Sequence, residues 1–428
     1  MNLRRILFNL SDKILGSPIK NKIKNIHRFH NDSSLSGDAK ALEHILNHAR
    51  QTVPFYKNLQ LDLNIESFPV VNKKIIKSNK ENFISDIYEI DKLYSATTSG
   101  STGEPFQFFF DKEKLKYRTL EVIYHNSWAN YQIGDKHLLN AVGGKKSLLK
   151  LFLQNEILTN PLYLDGDWLE YQRKVLKTKK VTFYVGYASA IEEFSKYCQK
   201  KGDSPEEFHL KGIIAAAEKL HENTRLRTEK VFGCPVLSRY GALESGVMSQ
   251  ECPEEKKHHI NIAHYNVEIL DLNEDKSAKP RELGRVVITD LFSKAMPLIR
   301  YDIGDFAILS AKKCKCGRTS PIFERLEGRS VENAIDSRGN LVSWVAINDA
   351  LWPYTEIKEF QFIQKGKIDY ELNLVSPEID SYIDKISKDF QAILGQDIKL
   401  SIKFVDRIDR LKSGKKPYII NEYKKLNQ

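Results

Sequence analysis

From about residue 94 to 300 the chain alternates short β-rich runs with helical stretches. The runs fall at 107–110, 137–142, 181–187, 210–216 and 234–241. That alternation predicts an α/β architecture of mixed sheets and helices. Between 265 and 310 the runs YNVEILDL, GRVVITDL, PLIRY and FAILS follow one another quickly, which predicts a sheet-rich subdomain. From about residue 329 the pattern changes to strand, helix, two strands, helix, strand, which reads as a small separate α+β module. The expected organisation is therefore a large domain over 1–328, with 1–34 as a basic helical extension, and a C-terminal domain over 329–428. At 428 residues the chain is long enough for two or three domains of about 150 residues each.

The formal charge of +10 is concentrated at the ends. Residues 1–30 hold seven bases (Arg4, Arg5, Lys13, Lys20, Lys22, Lys24, Arg28) and one acid, Asp12, and residues 406–428 hold seven bases and three acids. These segments carry +6 and +4, so the middle is neutral. A neutral body argues against nucleic acid as the partner. No apolar run is long enough to span a bilayer. Five cysteines are too few, and odd in number, for a disulfide framework, so a reducing, cytoplasmic setting is expected. Asn9, Ser11, Asp12 and Lys13 cut the first apolar run too short for a signal peptide. Leu3, Ile6, Leu7, Leu10, Ile14 and Leu15 share one helical face, ended by Gly16-Ser17-Pro18. A basic amphipathic helix can lie on an anionic membrane. Packing on the protein's own core is the commoner arrangement and is the expectation here. A further helix is predicted over 38–53, with Asp38 near its start and Val53-Pro54 as its stop.

The run Thr97-Thr98-Ser99-Gly100-Ser101-Thr102-Gly103-Glu104-Pro105 joins two β-like segments. Its glycines let the backbone turn its N–H groups inward, and its hydroxyls add donors, which suits an oligophosphate. The Gly-Lys-Ser/Thr ending of a Walker A loop is absent. Read alone, the run could be an exposed linker, but a linker seldom ends in Gly-Glu-Pro between two strands.

TTSGSTGEP resembles the phosphate loop of the adenylate-forming (acyl-coenzyme A synthetase) superfamily. Companion segments follow in that superfamily's order: Ala215-Ala216-Ala217-Glu218, Tyr240-Gly241-Ala242-Leu243-Glu244, Pro297 to Asp305, Gly328-Arg329 and Ser413-Gly414-Lys415. Leu243-Glu244-Ser245-Gly246, MPLIRYDIGD and Cys-Lys-Cys-Gly-Arg point within it to the phenylacetate–coenzyme A ligase family, including members associated with capsular polysaccharide synthesis. The resemblance covers about residues 35 to 420. It implies that Thr98, Ser99, Gly100, Ser101, Thr102 and Gly103 hold phosphates of ATP, and that Glu244 carries Mg²⁺. It further implies that Ala217, Glu218, Tyr240 and Gly241 flank the adenine and that Asp305 binds the ribose hydroxyls. Lys415 would bridge carboxylate and α-phosphate, with Arg329 near ribose and phosphates. Alone, Glu244 could be a surface acid, Asp305 a turn cap, and Lys415 one of a solvated basic run. The family has an acid two residues after the hinge arginine, where this chain has Val331 followed by Glu332; that puts the usual domain rotation in doubt.

Cys252, His259, Cys314 and Cys316 offer thiolate and imidazole ligands for a tetrahedral structural zinc. The Cys-x-Cys spacing is shorter than the common form, and the alternative is unrelated buried cysteines beside a surface His258-His259 pair. Zinc in some members of the family favours the metal reading, and the resemblance favours His259 over His258, since His259 and His264 reproduce the family's histidine spacing. Cys198 and Cys234 read as small buried apolar groups. Trp128, Tyr184 and Tyr187 are candidate walls for an acyl pocket, though such residues are more often ordinary core, which is the reading kept for each.

These readings together describe an ATP-dependent, AMP-forming ligase acting on a small-molecule carboxylate. Coenzyme A is the expected acceptor. The rival is an amine on a surface-polysaccharide precursor. From a different class comes a non-catalytic scaffold on a membrane surface, supported by the basic N-terminal helix and Val331.

Overall fold

The computed structural model describes residues 3–98, 106–141, 146–161, 166–329, 334–342, 344–351, 353–354, 356–357, 359–377, 380–409 and 418–423. The chain divides into two compact units, Met1–Thr98 with Pro105–Ile303 and Ala307–Arg325 in the first, and Gly304–Phe306 with Leu326–Gln428 in the second.

The first unit is built on a twelve-stranded sheet that changes character part-way across. At one side the strands Glu156–Thr159, His137–Asn140, Phe183–Tyr187, Gly212–Ala216 and Val236–Ala242 lie parallel, in that order. The connections between them include the helices Leu148–Gln154, Gly166–Thr178, Ala188–Lys200 and Glu222–Phe232. Strands covered on both faces read as continuous apolar runs, and four of the five residues in Gly212–Ala216 are buried. Tyr184, Ile191, Phe194, Ile213, Phe232 and Val236 form the core there, and Cys198 and Cys234 pack into it as ordinary small groups. Gly233 ends its helix with φ of 64°, a left-handed conformation suited to glycine.

Beyond Val236–Ala242 the pairing turns antiparallel through Gly246–Glu251 and His258–Ile260, and then Ile322–Arg329. Tyr301–Leu309, Gly284–Asp290 and Tyr265–Leu270 complete that side. The sheet-rich reading of 265–310 matches this block with one correction. The PLIRY run is not a strand: Arg300 has φ of 44°, which is incompatible with extended backbone, so the strand begins only at Tyr301. Tyr94–Thr98 and Phe106–Phe110 form a separate antiparallel hairpin, with Thr98 opposite Phe106.

The helix predicted over 38–53 is Ala39–Thr52, capped by the Asp38 carboxylate on the Ala41 N–H at 3.0 Å. The N-terminal helix corrects an expectation. Leu3–Ile14 does not bury its apolar stripe: Leu3, Leu7, Leu10 and Ile14 are exposed, and Asp12 is its one buried residue. Polar anchors turn it this way. Arg5 pairs with Asp135 at 3.1 Å, and Asp12 accepts from the N–H groups of Ile19 and Lys20 at the start of the next helix, Pro18–Asn31. No described helix is long and apolar enough to cross a membrane.

The second unit holds a four-stranded sheet in the order Lys399–Phe404, Asp369–Val375, Glu359–Gln364, Ile419–Asn421. The middle pair is antiparallel and both outer pairings are parallel. The helix Asp380–Leu394 packs Ile386, Phe390 and Leu394 against Phe362, Leu372 and Leu374. This matches the α+β expectation. The added strand Ile419–Asn421 is too short to show in the sequence pattern.

Candidate functional site

The turn Leu243–Ser245 joins the strands Val236–Ala242 and Gly246–Glu251. A register shift falls between Tyr240 and Gly241. The two strands approach so closely that any side chain at Gly241 would collide with the Gly246 carbonyl. The turn presents Glu244 inward, where it is 2% exposed. Its Oε1 accepts from the Tyr301 hydroxyl at 3.1 Å. Its Oε2 is buried with no hydrogen-bond partner among the described residues. Burying a carboxylate oxygen without a donor is costly, so this is a place where a cation would be favourable.

A charged cluster holds the turn from behind. Glu121 Oε2 accepts from the Val247 N–H at 2.9 Å. Its Oε1 accepts from Tyr265 at 2.9 Å and from His264 Nδ1 at 2.7 Å. Tyr265 also donates to the Ser245 carbonyl at 3.0 Å. The fully buried Lys114 ammonium lies 2.6 Å from Asp290 and 4.0 Å from Glu121. Burial alone would raise the Glu121 carboxyl, but Lys114 and the His264 hydrogen bond overcome it and hold the group at about 2. At Asp290 burial wins and the shift is upward. Sequence reading missed this cluster. Its members are separated by up to 176 residues, from Lys114 to Asp290, and no local pattern joins them.

The other sequence candidates are placed as follows. Tyr240 lies on Val236–Ala242, its ring centroid 6.1 Å from that of Phe323. Ala217, with φ of 68°, and Glu218 follow the strand Gly212–Ala216. Glu218 accepts from the Ser189 N–H at 2.9 Å, which gives it a capping role at the start of Ala188–Lys200. Asp305 is buried on Tyr301–Leu309, just after Gly304 with its φ of 85°. Its neighbours Arg300 and Asp302 are in ion pairs, with Glu268 at 3.0 Å and Arg285 at 2.8 Å. Thr98 ends the Tyr94–Thr98 strand and Arg329 ends Ile322–Arg329. Ser99, Gly100, Ser101, Thr102, Gly103, Val331, Glu332 and Lys415 lie outside the described residues.

Cys252, His259, Cys314 and Cys316 come together with all four ligand atoms within 4.8 Å of one another. Cys252 Sγ and Cys314 Sγ are 3.6 Å apart, and Cys316 Sγ is 3.3 Å from His259 Nε2. Ligands at about 2.0–2.3 Å from a tetrahedral Zn²⁺ are spaced in that way. Cys252 follows Gly246–Glu251, His259 sits in the paired strand His258–Ile260, and the two cysteines lie in the loop before Ile322–Arg329. Ser320 Oγ, 3.2 Å from His259 Nδ1, fixes the ring so that Nε2 faces the sulfurs. Burial, helped by Arg318, lowers His259 to about 4, leaving its ring neutral and able to ligate. His258 is directed elsewhere, to Ser249 at 3.1 Å. Trp128 packs edge-on against His259, with Arg318 4.2 Å over its ring. Tyr184 is core, and Tyr187 is half-buried.

Comparison with known proteins accords with this architecture. Residues 334–422 match the CapK C-terminal domain model. Protein CapK of Staphylococcus aureus is 24% identical over 376 residues, covering 84% of this chain and 81% of that protein. A phenylacetate-coenzyme A ligase of Thermus thermophilus is 35% identical over 149 residues, covering 34% of this chain and 32% of that protein. The crystal structure of a 2-hydroxyisobutyryl-CoA ligase in the postadenylation state, in complex with 2-HIB-AMP, superposes with a TM-score of 0.75 at 16% identity. It covers 94% of this chain and 93% of its own. The chain is thus similar to CapK over most of its length and to phenylacetate-coenzyme A ligases over part of it, matches the CapK C-terminal domain over residues 334–422, and has the fold of the adenylate-forming ligases.

Proposed function

We propose that the chain is an ATP-dependent, AMP-forming ligase that activates a carboxylic acid and passes the acyl group to coenzyme A. The observation that carries this reading is Glu244, a buried carboxylate with one oxygen tied to Tyr301 and the other without a partner among the described residues.

In the first half-reaction a carboxylate oxygen attacks the α-phosphorus of ATP. The bond to the bridging oxygen of pyrophosphate breaks, and its electron pair leaves with pyrophosphate. The protein's task is positioning and charge neutralisation. Glu244 would hold Mg²⁺, which screens phosphate charge when bound. Thr98 to Gly103 would hold phosphates, and Asp305 would accept from the ribose hydroxyls. Ala217, Glu218, Tyr240 and Gly241 would enclose the adenine. Arg329 and Lys415 would bring positive charge to the α-phosphate and the attacking carboxylate. In the second half-reaction the thiolate of coenzyme A attacks the acyl carbon, a C–S bond forms, and AMP departs with the electrons of the C–O bond. Cys252, His259, Cys314 and Cys316 fit Zn²⁺ as a closed four-ligand set, which leaves no position for substrate.

The test is ATP–pyrophosphate exchange against a panel of aryl, fatty, amino and sugar acids, alongside Glu244→Ala and Lys415→Ala. Exchange with one acid class that drops at least about a hundredfold in both variants is the expected outcome. No exchange with any acid, from folded protein containing zinc, would overturn the reading. With an active acid in hand, coenzyme A should release a thioester. An amine that consumes the adenylate in its place would move the acceptor to the amide class.

A further inference from the structure

The N-terminal helix Leu3–Ile14 shows water its apolar side. Leu3, Leu7, Leu10 and Ile14 form one stripe, and Leu15 extends it. A second helix does the same: Leu148, Leu149, Phe152 and Leu153 on Leu148–Gln154 are all exposed. These nine side chains are between 52% and 85% exposed. Large apolar side chains grouped in this way are uncommon on a protein that meets only water.

The two stripes are neighbours. The Arg4 guanidinium donates to the carbonyls of Phe152 and Leu153 and lies 4.4 Å from the centre of the Phe152 ring. The inner side of the first helix is polar, fixed by Arg5 on Asp135 and by Asp12 on the next helix. The outward direction of the apolar stripe is thus set by ion pairing and capping.

Bases accompany the stripes. Lys13 and Lys150 are exposed on the same two helices, and Lys20 and Lys24 are exposed on Pro18–Asn31, which follows the first helix directly. Beside Phe152 a cavity of about 320 Å³ is lined by Arg4, Lys136, Lys179, Tyr171 and Glu156. Glu156 is already paired with Lys146 and His137, whereas Lys136 and Lys179 make no ion pair among the described residues. Seven bases against one acid in residues 1–30 would repel a second copy of the same face.

We infer that this face docks on an anionic lipid bilayer. The leucines and Phe152 enter the acyl boundary, the lysines stay at the level of the phosphates, and the cavity receives an anionic headgroup. This goes beyond the ligase reading and does not depend on it.

The experiment is flotation of the full chain with vesicles of phosphatidylcholine, with or without phosphatidylglycerol. The protein should float with the phosphatidylglycerol vesicles, stay behind with phosphatidylcholine alone, and be released by salt. Leu7→Glu with Leu10→Glu should cut binding at least about tenfold, and Lys20→Glu with Lys24→Glu should do so through the charge alone. Both pairs are exposed, so circular dichroism and melting should match the parent. Three results would each overturn the inference: no flotation with phosphatidylglycerol, flotation unaffected by both variants, or a dimer in solution that Leu7→Glu with Leu10→Glu dissociates while vesicles remain unbound.

Discussion

The two oxygens of Glu244 have different surroundings, and the difference comes from residues far away in sequence. Tyr301 supplies the donor to one oxygen from 57 residues downstream. The turn itself is held by Glu121 and Tyr265, and these depend on Lys114 to balance the charge. Replacing Lys114 with Met would keep the bulk but leave Asp290 and Glu121 buried without a counter-charge. Removing one partner of a buried pair typically costs about 3–5 kcal/mol. Denaturant unfolding of Lys114→Met should therefore show a loss of about that size. A loss near zero would mean that Asp290 takes up a proton at little cost. Glu244 is legible in the sequence because it sits in a recognisable local run. Lys114 is not, since a lysine one turn into a helix ordinarily reads as surface.

At the scale of elements, the cysteine–histidine cluster ties the hairpin Gly246–Glu251/His258–Ile260 to the loop before Ile322–Arg329. Metal analysis should find one zinc per chain, and Cys252→Ser or Cys316→Ser should lose it. A metal bound only by the folded state stabilises by about 4 kcal/mol when free metal is about 1,000-fold above its dissociation constant. Chelation should thus lower the melting temperature, with activity following stability. A metal-free protein that melts unchanged would remove the metal from the fold. The ligand types and spacing could be read from sequence. The strand gives the preference for His259 its physical reason, because adjacent residues on a strand point to opposite faces and only one can meet the sulfurs. The N-terminal helix shows the opposite case: its amphipathicity is visible in the sequence, but the direction of its apolar side is not.

At the scale of the whole molecule, burial of neutral histidines makes the protein sensitive to acid. Burial lowers His125 to about 3 and His221 to about 4, against 6.5 for the exposed group. Below pH 6.5 the unfolded chain takes up protons that the folded chain refuses. Stability should be full above that value and fall by up to about 1.4 kcal/mol per pH unit for each histidine as the pH drops toward 4. Melting followed from pH 7.5 to 4.5 checks this, and His221→Gln should flatten the slope by one group's share. An unchanged slope would mean that His221 is not the group responsible.

The sequence by itself determined the α/β class, the C-terminal α+β module, the order of the nucleotide-type motifs and the four metal-ligand candidates. Each of these depends on spacing over a few residues or on residue type, which a linear chain carries explicitly. The tertiary structure decided which oxygen of Glu244 is tied, that the four metal-ligand candidates close on one point, where strand pairing changes from parallel to antiparallel, and which way the first helix faces. These depend on contacts closed over tens to hundreds of residues, such as Arg5 with Asp135 and Lys114 with Asp290. Packing and charge balance select those contacts only once the chain has folded on itself.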